Sequence, residues 1–558
     1  MKRENSIFLA APIAALIVNF LFLQDADYRI PFLSLILLLA FAFATGVYTE
    51  VKKCSKDTKV MLVKSGGLVL ATLGMIQLMC IYRQDFFGND RVLFKWVWIL
   101  GLILSYIIFI FAYTNGEITE STVFLILMAG ICIRVFYVVL MQVNLYQNDA
   151  GLFQVNSGGH LGYIYHFYSK GTLPDFNPRS YDQFYHPPLH HMIAAVWLKL
   201  NTVFGKGGEG LDEFLQSLTL FYSACTLGFL NKIGIKLNIS CKGRAIAMGI
   251  ISFLPFGIMM GGAVNNDGLM LLFEVIAVYC TLQWFDEPSV KHILLMALTI
   301  GCAMMTKLSG GLIAPAVAVV MFIKVWKDKR HIKNYMMQFL CFALVAFPLG
   351  LWYPIKNLIQ YDIPITYIRS LSDDVAQYIG SYGAGQRFFG TGGQFYPLYV
   401  GFDNTQADVA YNIPISIVKF LTFGDGNYYL QNSAATRLGP WVFYLTMILL
   451  VLAFVAMIIW LFRREAEGHA RLLILISVLV LIASYIKFCF DYPHVGTMHV
   501  RHIMLAIYFC FLGLGGFLSE GEAQSGKALV VKGFLGAALL YMVLSALLMF
   551  AMQAQFYR

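Results

Sequence analysis

The polar stretch from Asn148 to His191 holds the side chains best suited to chemistry in this chain. It begins beside Asp149, directly after an apolar run, and it ends in the sequence YHPPLHH. A carboxylate or an imidazole within hydrogen-bond reach of a hydroxyl group can take its proton. Anchoring at a membrane surface would explain the aromatic residues in between, but not the aspartate and the histidines. The stretch is therefore a candidate site for chemistry beside an interface.

Three more ionisable residues lie at the edges of apolar runs. Asp267 occurs in AVNNDGLMLLF, Lys307 in AMMTKLSGG and Arg501 in HVRHIML. A Lys or Arg side chain can bind phosphate at such a position, and Arg501 could instead extend toward the interface. Asp267 could orient a substrate, help to hold a metal ion, or cap a helix that begins at Gly268. The sequence leaves these roles open.

A fourth ionisable residue, Arg134, lies inside the apolar run ICIRVFYVVL. A charged side chain there is costly and normally faces the protein interior or a cavity. It could reach an anionic group from beneath, or it could pair with an acidic residue such as Glu274. Both interpretations are kept.

His186 and His190 are four residues apart, a spacing that metal ligands on one helix can have. Pro187 and Pro188 lie between them, so His186 is expected to precede the helix. No HExxH motif or cysteine ligand accompanies the pair. The sequence predicts no metal site and gives no support to a divalent cofactor.

The elements that position these residues follow from composition. The chain has 558 residues, of which 59% are hydrophobic and 13% are charged. Ordinary soluble domains are about 25% charged, so most of this surface faces lipid. The net charge of +9 comes from short Lys and Arg clusters between apolar runs. That pattern is typical of cytoplasmic anchoring and excludes a nucleic-acid partner.

Apolar runs of span length recur along the whole chain, and a helix that crosses a bilayer needs about 20 residues. The sequence therefore predicts an all-α polytopic membrane protein with roughly 15 transmembrane helices. The predicted spans are 6–23, 30–49, 60–82, 92–113, 121–142, 215–231, 245–263, 268–285, 291–306, 309–326, 335–353, 441–462, 471–489, 502–518 and 529–550.

Basic clusters predict the orientation, because cytoplasmic loops carry an excess of Lys and Arg. The clusters at 52–59, 232–244, 324–333 and 463–471 all face the cytoplasm only if the short apolar segment 186–200 does not cross the membrane. We therefore predict that 186–200 forms a juxtamembrane helix on the outer surface. The loops that hold the ionisable candidates then share the outer face.

Five segments, in order along the chain, resemble the GT-C membrane glycosyltransferases. The closest similarity is to the protein O-mannosyltransferase and aminoarabinose transferase group, which is glycosyltransferase family 39-like. The first segment is GGHLGYIYHFYSKGTLP followed by QFYHPPLHH, and the others are AVNNDGLMLLF, AMMTKLSGGLIAPAVAVV, WYPIKNLIQYDIPITY and HVRHIML. The resemblance covers roughly 120–370 well and 490–510 weakly.

The resemblance implies a GT-C-like helical bundle whose external first loop, 143–214, contains juxtamembrane helices. The expected catalytic module is 121–353. Transmembrane helices at 1–120, to which the sequence assigns no role, precede it. An external region at 354–440, a lid or an acceptor platform, follows it, and C-terminal transmembrane helices occupy 441–558.

The resemblance also implies an activity: transfer of a sugar from a polyprenyl-phosphate-linked donor to an acceptor outside the cytoplasm, by a multi-pass protein of the cell membrane. Asp149 matches the acidic position of the first loop and is the expected general base, and Asp267 matches the second acidic position. The expected donor-phosphate ligands are Arg501, Lys307 and Arg134, and the expected substrate-loop residues are His160, Tyr163, His186 and His190.

The sequence departs from the resemblance around Arg501, where relatives often have an Arg-Tyr pair and this chain has His499 and His502. The expected partners are membrane lipid and the donor. The sugar, hexose or pentose, and the acceptor, a glycan, lipid or protein, stay open. The alternative function is a transporter or lipid flippase, but no internal repeat is visible and the ionisable residues gather at one face rather than at the bilayer midplane.

Overall fold

The structure is a computed structural model that describes residues 118–141, 143, 158–203, 211–369, 371–400, 406–424, 433–463, 468–522 and 528–553. The four predicted spans before residue 118, and Asp149, lie outside the described residues.

Helices, turns and two isolated β-bridges account for the part of the chain that the structure describes, which confirms the all-α class. The α-helices are α1 Glu120–Leu140, α2 Gly159–Lys170, α3 Leu189–Val203, α4 Glu213–Lys236, α5 Cys241–Phe253, α6 Pro255–Met259, α7 Asp267–Asp286, α8 Val290–Thr306, α9 Ala314–Lys327, α10 Ile332–Tyr361, α11 Ala384–Phe389, α12 Pro397–Val400, α13 Ile413–Phe423, α14 Ser433–Phe462, α15 Gly468–Asp491, α16 Met504–Glu522 and α17 Ala528–Gln553. The 3-10 helices are Pro178–Ser180, Leu308–Ile313, Lys329–His331, Ala407–Val409, Val495–Met498 and Val500–Ile503.

Eight helical segments among the described residues are long and apolar enough to cross a membrane. They contain α4, α7, α9, α10, α14, α15, α16 and α17, each at a predicted span. A multi-pass membrane protein is therefore confirmed, whereas the total of roughly 15 spans stays a prediction.

The predicted span 245–263 is not one helix. α5 ends at Phe253, Leu254 is extended with φ −63° and ψ 118°, and Pro255 begins the short α6. A proline disfavours helical geometry in the residue before it and suits the first position of a new helix. The predicted span 245–263 is therefore interrupted at Leu254, and whether the segment crosses the membrane stays a prediction.

The predicted juxtamembrane segment 186–200 contains the start of α3, a helix of 15 residues that begins just after Pro187 and Pro188. Ala194, Trp197 and Leu198 are buried against the neighbouring helices, while Val196 and Val203 are exposed. A two-sided helix of this length fits a position along a surface better than a crossing. Its helical form is confirmed, and its side of the membrane stays a prediction.

α7 has 20 residues, which makes it about 30 Å long. It packs between α4 and α8, and three predicted cytoplasmic clusters meet at its C-terminal end. There Lys236 forms an ion pair with Asp286 at 2.7 Å, Lys324 donates a hydrogen bond to the Phe285 carbonyl oxygen at 2.6 Å, and His469 stacks on the Phe285 ring. The basic clusters thus lie together, at the end opposite Asp267.

The region 354–440 holds more regular structure than the sequence predicted. α10 continues to Tyr361, and α13 is an apolar helix buried against α6 and α14. Gln377 and Ile379 then join this region to the segment before α16. The N–H of Ile379 donates to the Pro493 carbonyl oxygen at 2.8 Å, and the N–H of Val495 donates to the Gln377 carbonyl oxygen at 2.9 Å.

Small residues allow α5 and α16 to cross in close contact, as is common between membrane helices. A Cβ atom on Gly243 would lie 2.3 Å from the Gly515 carbonyl oxygen and 2.3 Å from the Ser519 hydroxyl oxygen. Neither Gly243 nor Gly515 can therefore be replaced by a larger residue without moving a helix. This crossing holds α16 against the centre of the bundle.

Replacement of Gly243 by alanine should lower the free energy of unfolding by about 1–3 kcal/mol, because the new methyl group overlaps backbone atoms of α16. Denaturant unfolding in detergent, followed by tryptophan fluorescence, measures the change. Gly536→Ala is the control, since a Cβ atom there meets nothing within 4 Å. Equal stability of the two variants would contradict the close crossing.

Candidate active site

Asp267 begins α7 and is held there by its two asparagine neighbours. Its backbone N–H donates to Asn265 Oδ1 at 3.1 Å, and Asn266 Nδ2 donates to the Thr306 carbonyl oxygen at 3.3 Å. The second bond ties the start of α7 to the end of α8, where Lys307 follows in an extended conformation. The helix begins at Asp267 itself, so the predicted cap of a helix starting at Gly268 is wrong. The carboxylate is directed to cations instead.

Asp267, Lys307 and Arg501 form an ionic triad. Lys307 Nζ lies 2.5 Å from Asp267 Oδ1, and Arg501 Nε lies 3.6 Å from Asp267 Oδ2. The Asp267 side chain is only 2% exposed, whereas those of Lys307 and Arg501 are 13% and 17% exposed. A buried carboxylate needs such partners, and the two cations remain accessible on one side. The triad carries a formal charge of +1.

Arg501 is positioned by the histidine before it. His499 accepts a hydrogen bond on Nδ1 from the Arg501 backbone N–H at 3.1 Å and packs between the rings of Phe256 and Phe420. His502, on the other side, packs against Phe488. The two histidines that depart from the resembled pattern, His499 and His502, therefore pack around Arg501 and cap its segment. The Arg501 guanidinium still faces Asp267.

Three histidines form a stack that we call the imidazole row: His186, His160 and His191. The rings of His186 and His160 are 6.3 Å apart with a 5° interplanar angle, and those of His160 and His191 are 5.3 Å apart with a 9° angle. His160 Nδ1 and His191 Nε2 share a hydrogen bond of 3.0 Å. His190 stands across the end of the row, its ring 5.3 Å from that of His191 at 75°. His191 was missed from the sequence, although the dipeptide HH made it visible.

A glycine turn brings α2 into this row. Gly158 has φ +99°, and a Cβ atom there would lie 2.7 Å from the Asp182 backbone nitrogen. The N–H of Gly159 donates to the Asp182 carbonyl oxygen at 2.9 Å. Only glycine fits both the positive φ and the close approach. The turn therefore sets His160 beside the segment that carries His186.

Burial keeps the histidines neutral at pH 7. Loss of solvation lowers the pKa of His186 to about 3, with a further contribution from the positive charge of Lys307, and it lowers the pKa of His190 to about 4. The pKa values of His160 and His191 also lie well below the ordinary value, mainly through burial. The charges of Asp267 and Arg501 act on both His160 and His186, so the row and the triad share one site.

Tyr163 packs beneath the imidazole row instead of facing a substrate. Its ring lies 4.3 Å from that of His191 and 4.4 Å from that of Phe184. Its hydroxyl donates to the Tyr353 hydroxyl at 3.0 Å, and Tyr353 donates to the Phe184 carbonyl oxygen at 2.7 Å. Tyr163 is fully buried, so the structure gives it a role in packing rather than the substrate contact predicted for it.

Arg134 joins three helices and is not part of the triad. It donates to Ser223 on α4 at 2.8 Å, to the Gly130 carbonyl oxygen on α1 at 2.8 Å and to the Ser252 carbonyl oxygen on α5 at 2.6 Å. These partners differ from Glu274, the acidic residue with which the sequence offered an ion pair. Its side chain is fully buried, so the contacts assign it to helix packing and give no support to the predicted phosphate contact.

The structure thus brings together Asp267, Lys307, Arg501 and the histidines, while Tyr163 and Arg134 serve packing. No group of three or more His, Cys, Asp or Glu side chains among the described residues is arranged to hold a metal ion. The rings of the imidazole row lie nearly parallel, with interplanar angles of 5° and 9°.

A family model agrees with the resemblance seen in the sequence. Residues 213–352 match the family model of dolichyl-phosphate-mannose-protein mannosyltransferases, a range that includes Asp267 and Lys307. A search of curated proteins finds no significant match. Among solved structures, the chain is similar to ArnT from Cupriavidus metallidurans bound to undecaprenyl phosphate, at 12% identity, with a TM-score of 0.46, over 78% of this chain and 77% of that one. The family match confirms, for residues 213–352, the resemblance to GT-C membrane glycosyltransferases.

Because these histidines are buried and neutral, we predict that the free energy of unfolding falls in mild acid. An unfolded histidine binds a proton near pH 6.5, but folded His190 does so only near a pKa of about 4. Between these values the unfolded state holds more protons, so each such histidine should lower the free energy of unfolding by up to roughly 1.4 kcal/mol per pH unit as pH falls. Unfolding midpoints measured from pH 7 to pH 5 check this.

His190→Gln should give a shallower pH dependence than the wild type. His331→Gln, at an exposed histidine, should keep the wild-type slope. The interpretation fails if His190→Gln and the wild type lose stability in parallel.

Proposed function

We propose that the protein transfers a sugar from a polyprenyl-phosphate donor to an acceptor at the outer face of the membrane. The observation that carries this proposal is the ionic triad at the ends of apolar helices, in a module that matches a family named for dolichyl-phosphate-mannose, a polyprenyl-phosphate sugar. The triad supplies the charge that a departing phosphate needs.

The location of the triad suits a lipid-linked substrate. Helices α8 to α10 expose large apolar side chains such as Leu298, Phe322 and Leu344, which fits contact with lipid tails. Asp267 and Lys307 lie at the ends of α7 and α8, where a lipid's head group meets water. A donor bound there keeps its tail in the bilayer while its phosphate reaches the cations.

Within the triad we assign different roles to the carboxylate and the cations. Lys307 and Arg501 are partly exposed and bind the donor phosphate, on which negative charge builds as the sugar leaves. Asp267 has one oxygen facing each cation, so its role is to hold both in position. The base that takes the acceptor's proton is then a different group, and we assign that role to Asp149, which precedes Gly158 by nine residues in the sequence.

Loss of either cation should weaken catalysis by about 10²–10³-fold, the usual effect of removing one stabilising group from a developing anion. Lys307→Gln and Arg501→Gln test this with a panel of radiolabelled polyprenyl-phosphate hexoses and pentoses. The readout is label that appears in the glycan, lipid or protein fraction of membranes.

The matched control is Lys324→Gln, since Lys324 lies at the opposite end of the bundle and bonds to the Phe285 carbonyl oxygen. It should transfer sugar at the wild-type rate. Full activity of both Lys307→Gln and Arg501→Gln would rule out the triad as the phosphate site.

Asp149→Asn should reduce transfer by about 10²–10⁴-fold and leave donor binding unchanged, because an amide cannot take the acceptor's proton. Transfer from the donor panel and equilibrium binding of the same donors are measured side by side. Asp175→Asn is the control, since Asp175 is an exposed carboxylate of the same loop. An unaffected rate in Asp149→Asn would move the base to another residue.

A further inference from the structure

His186 differs from the other histidines of the imidazole row because it is partly exposed, whereas His160 and His191 are buried. It lies at the end of the row nearest the triad, where the charges of Lys307, Asp267 and Arg501 act on it. The row, with the His160–His191 hydrogen bond, lies behind it. The proposed roles of the triad and of Asp149 give this residue no task.

The proposed transfer leaves a negative charge on the phosphate that no residue assigned so far balances. The acceptor oxygen bonds to the anomeric carbon, and the bond from that carbon to the phosphate oxygen breaks with its electron pair left on the phosphate. A phosphodiester with one negative charge becomes a phosphomonoester with two, and the acceptor's hydroxyl proton passes to Asp149, the proposed base. The triad, with its formal charge of +1, balances the diester but not the product.

We propose that His186 takes up one proton beside the phosphate when transfer leaves the lipid phosphate with its second negative charge. This inference rests on the proposed function. The proton that Asp149 gives up when it returns to its charged state accounts for the one that the imidazole takes up, and the resulting imidazolium balances the negative charge that the phosphate gains. The protonated ring also becomes a donor from both nitrogens, which suits a phosphate.

The surroundings of His186 allow this change only when the product is present. Without a ligand, the loss of solvation at this half-buried position and the positive charge of Lys307 lower the pKa of His186 to about 3, so the ring is neutral. The other charged or titratable groups acting around it are Asp267, which favours the proton, and Arg501, which disfavours it; His160 and His191 stand behind the ring. The aromatic ring of Tyr185 covers it at 4.4 Å.

The second negative charge is large enough to reverse that balance. At an effective dielectric constant of about 20, each unit negative charge about 4 Å away raises the proton affinity of a base roughly a thousandfold. The single charge of the diester therefore leaves the pKa of His186 below 7, whereas the two charges of the monoester together raise it above 7. The change occurs within the site and requires no movement of a helix. Product binding should therefore be coupled to proton uptake, and donor binding should not.

Calorimetry of the full chain in detergent tests this coupling with two probes, farnesyl phosphate and methyl farnesyl phosphate. The first is a monoester that carries two negative charges at pH above its second pKa of about 6, and the second is a diester that carries one. Titrations at pH 7 in buffers of different ionisation enthalpy count the protons taken up. We expect about one proton with the monoester and none with the diester in the wild type.

Two variants assign the proton to its residue. His186→Gln should bind both lipids with no difference in proton uptake, whereas His469→Gln, at the opposite end of α7, should behave as the wild type does. Equal uptake with the two lipids in the wild type would overturn the inference even if His186→Gln does not fold. An unchanged monoester uptake in His186→Gln would also overturn it. Failure of the wild type to bind either lipid would contradict the proposed function itself.

Discussion

A single buried carboxylate organises the candidate site. Asp267 lies in the interior with cations against both of its oxygens, and it draws Lys307 from the end of α8 and Arg501 from the segment before α16 to one point. Breaking a buried ion pair by removing one partner typically costs about 3–5 kcal/mol, because the other charge is left without compensation. The arrangement is therefore strongly specified. Lys307 and Arg501 are partly exposed, while the buried carboxylate of Asp267 fixes their positions from the interior.

The second organising feature is the separation of charge along α7. Asp267 and its cations occupy one end, and the basic clusters around Asp286 occupy the other, about 30 Å away. The orientation predicted from the Lys and Arg clusters requires this separation. That prediction depended on segment 186–200 not crossing the membrane. Packing of α3 along the bundle, with one face buried, agrees with it.

Much of the helical framework could be predicted from the sequence, since apolar runs and basic clusters are local signals. The candidate site was predictable in several of its members but not in its contacts. Lys307 and Arg501 were expected to bind phosphate and Asp267 to cap or orient, yet their mutual pairing spans 40 residues in one case and more than 200 in the other, and it depends on how α7, α8 and α16 pack. Arg134 shows the same limit, because its partners on α4 and α5 are set by helix crossing. The break at Pro255 was visible as a residue type, but the apolar run around it hid its effect.

The backbone pairing of Gln377 and Ile379 with the 493–495 segment bears on how the region 354–440 can diversify. Main-chain hydrogen bonds do not depend on which side chains the paired segments carry. Surface residues of 371–400 can therefore be exchanged while the chain leading to Arg501 keeps its course. Under the proposed function, the surface that this region offers to an acceptor and the geometry of the triad are then separable under selection.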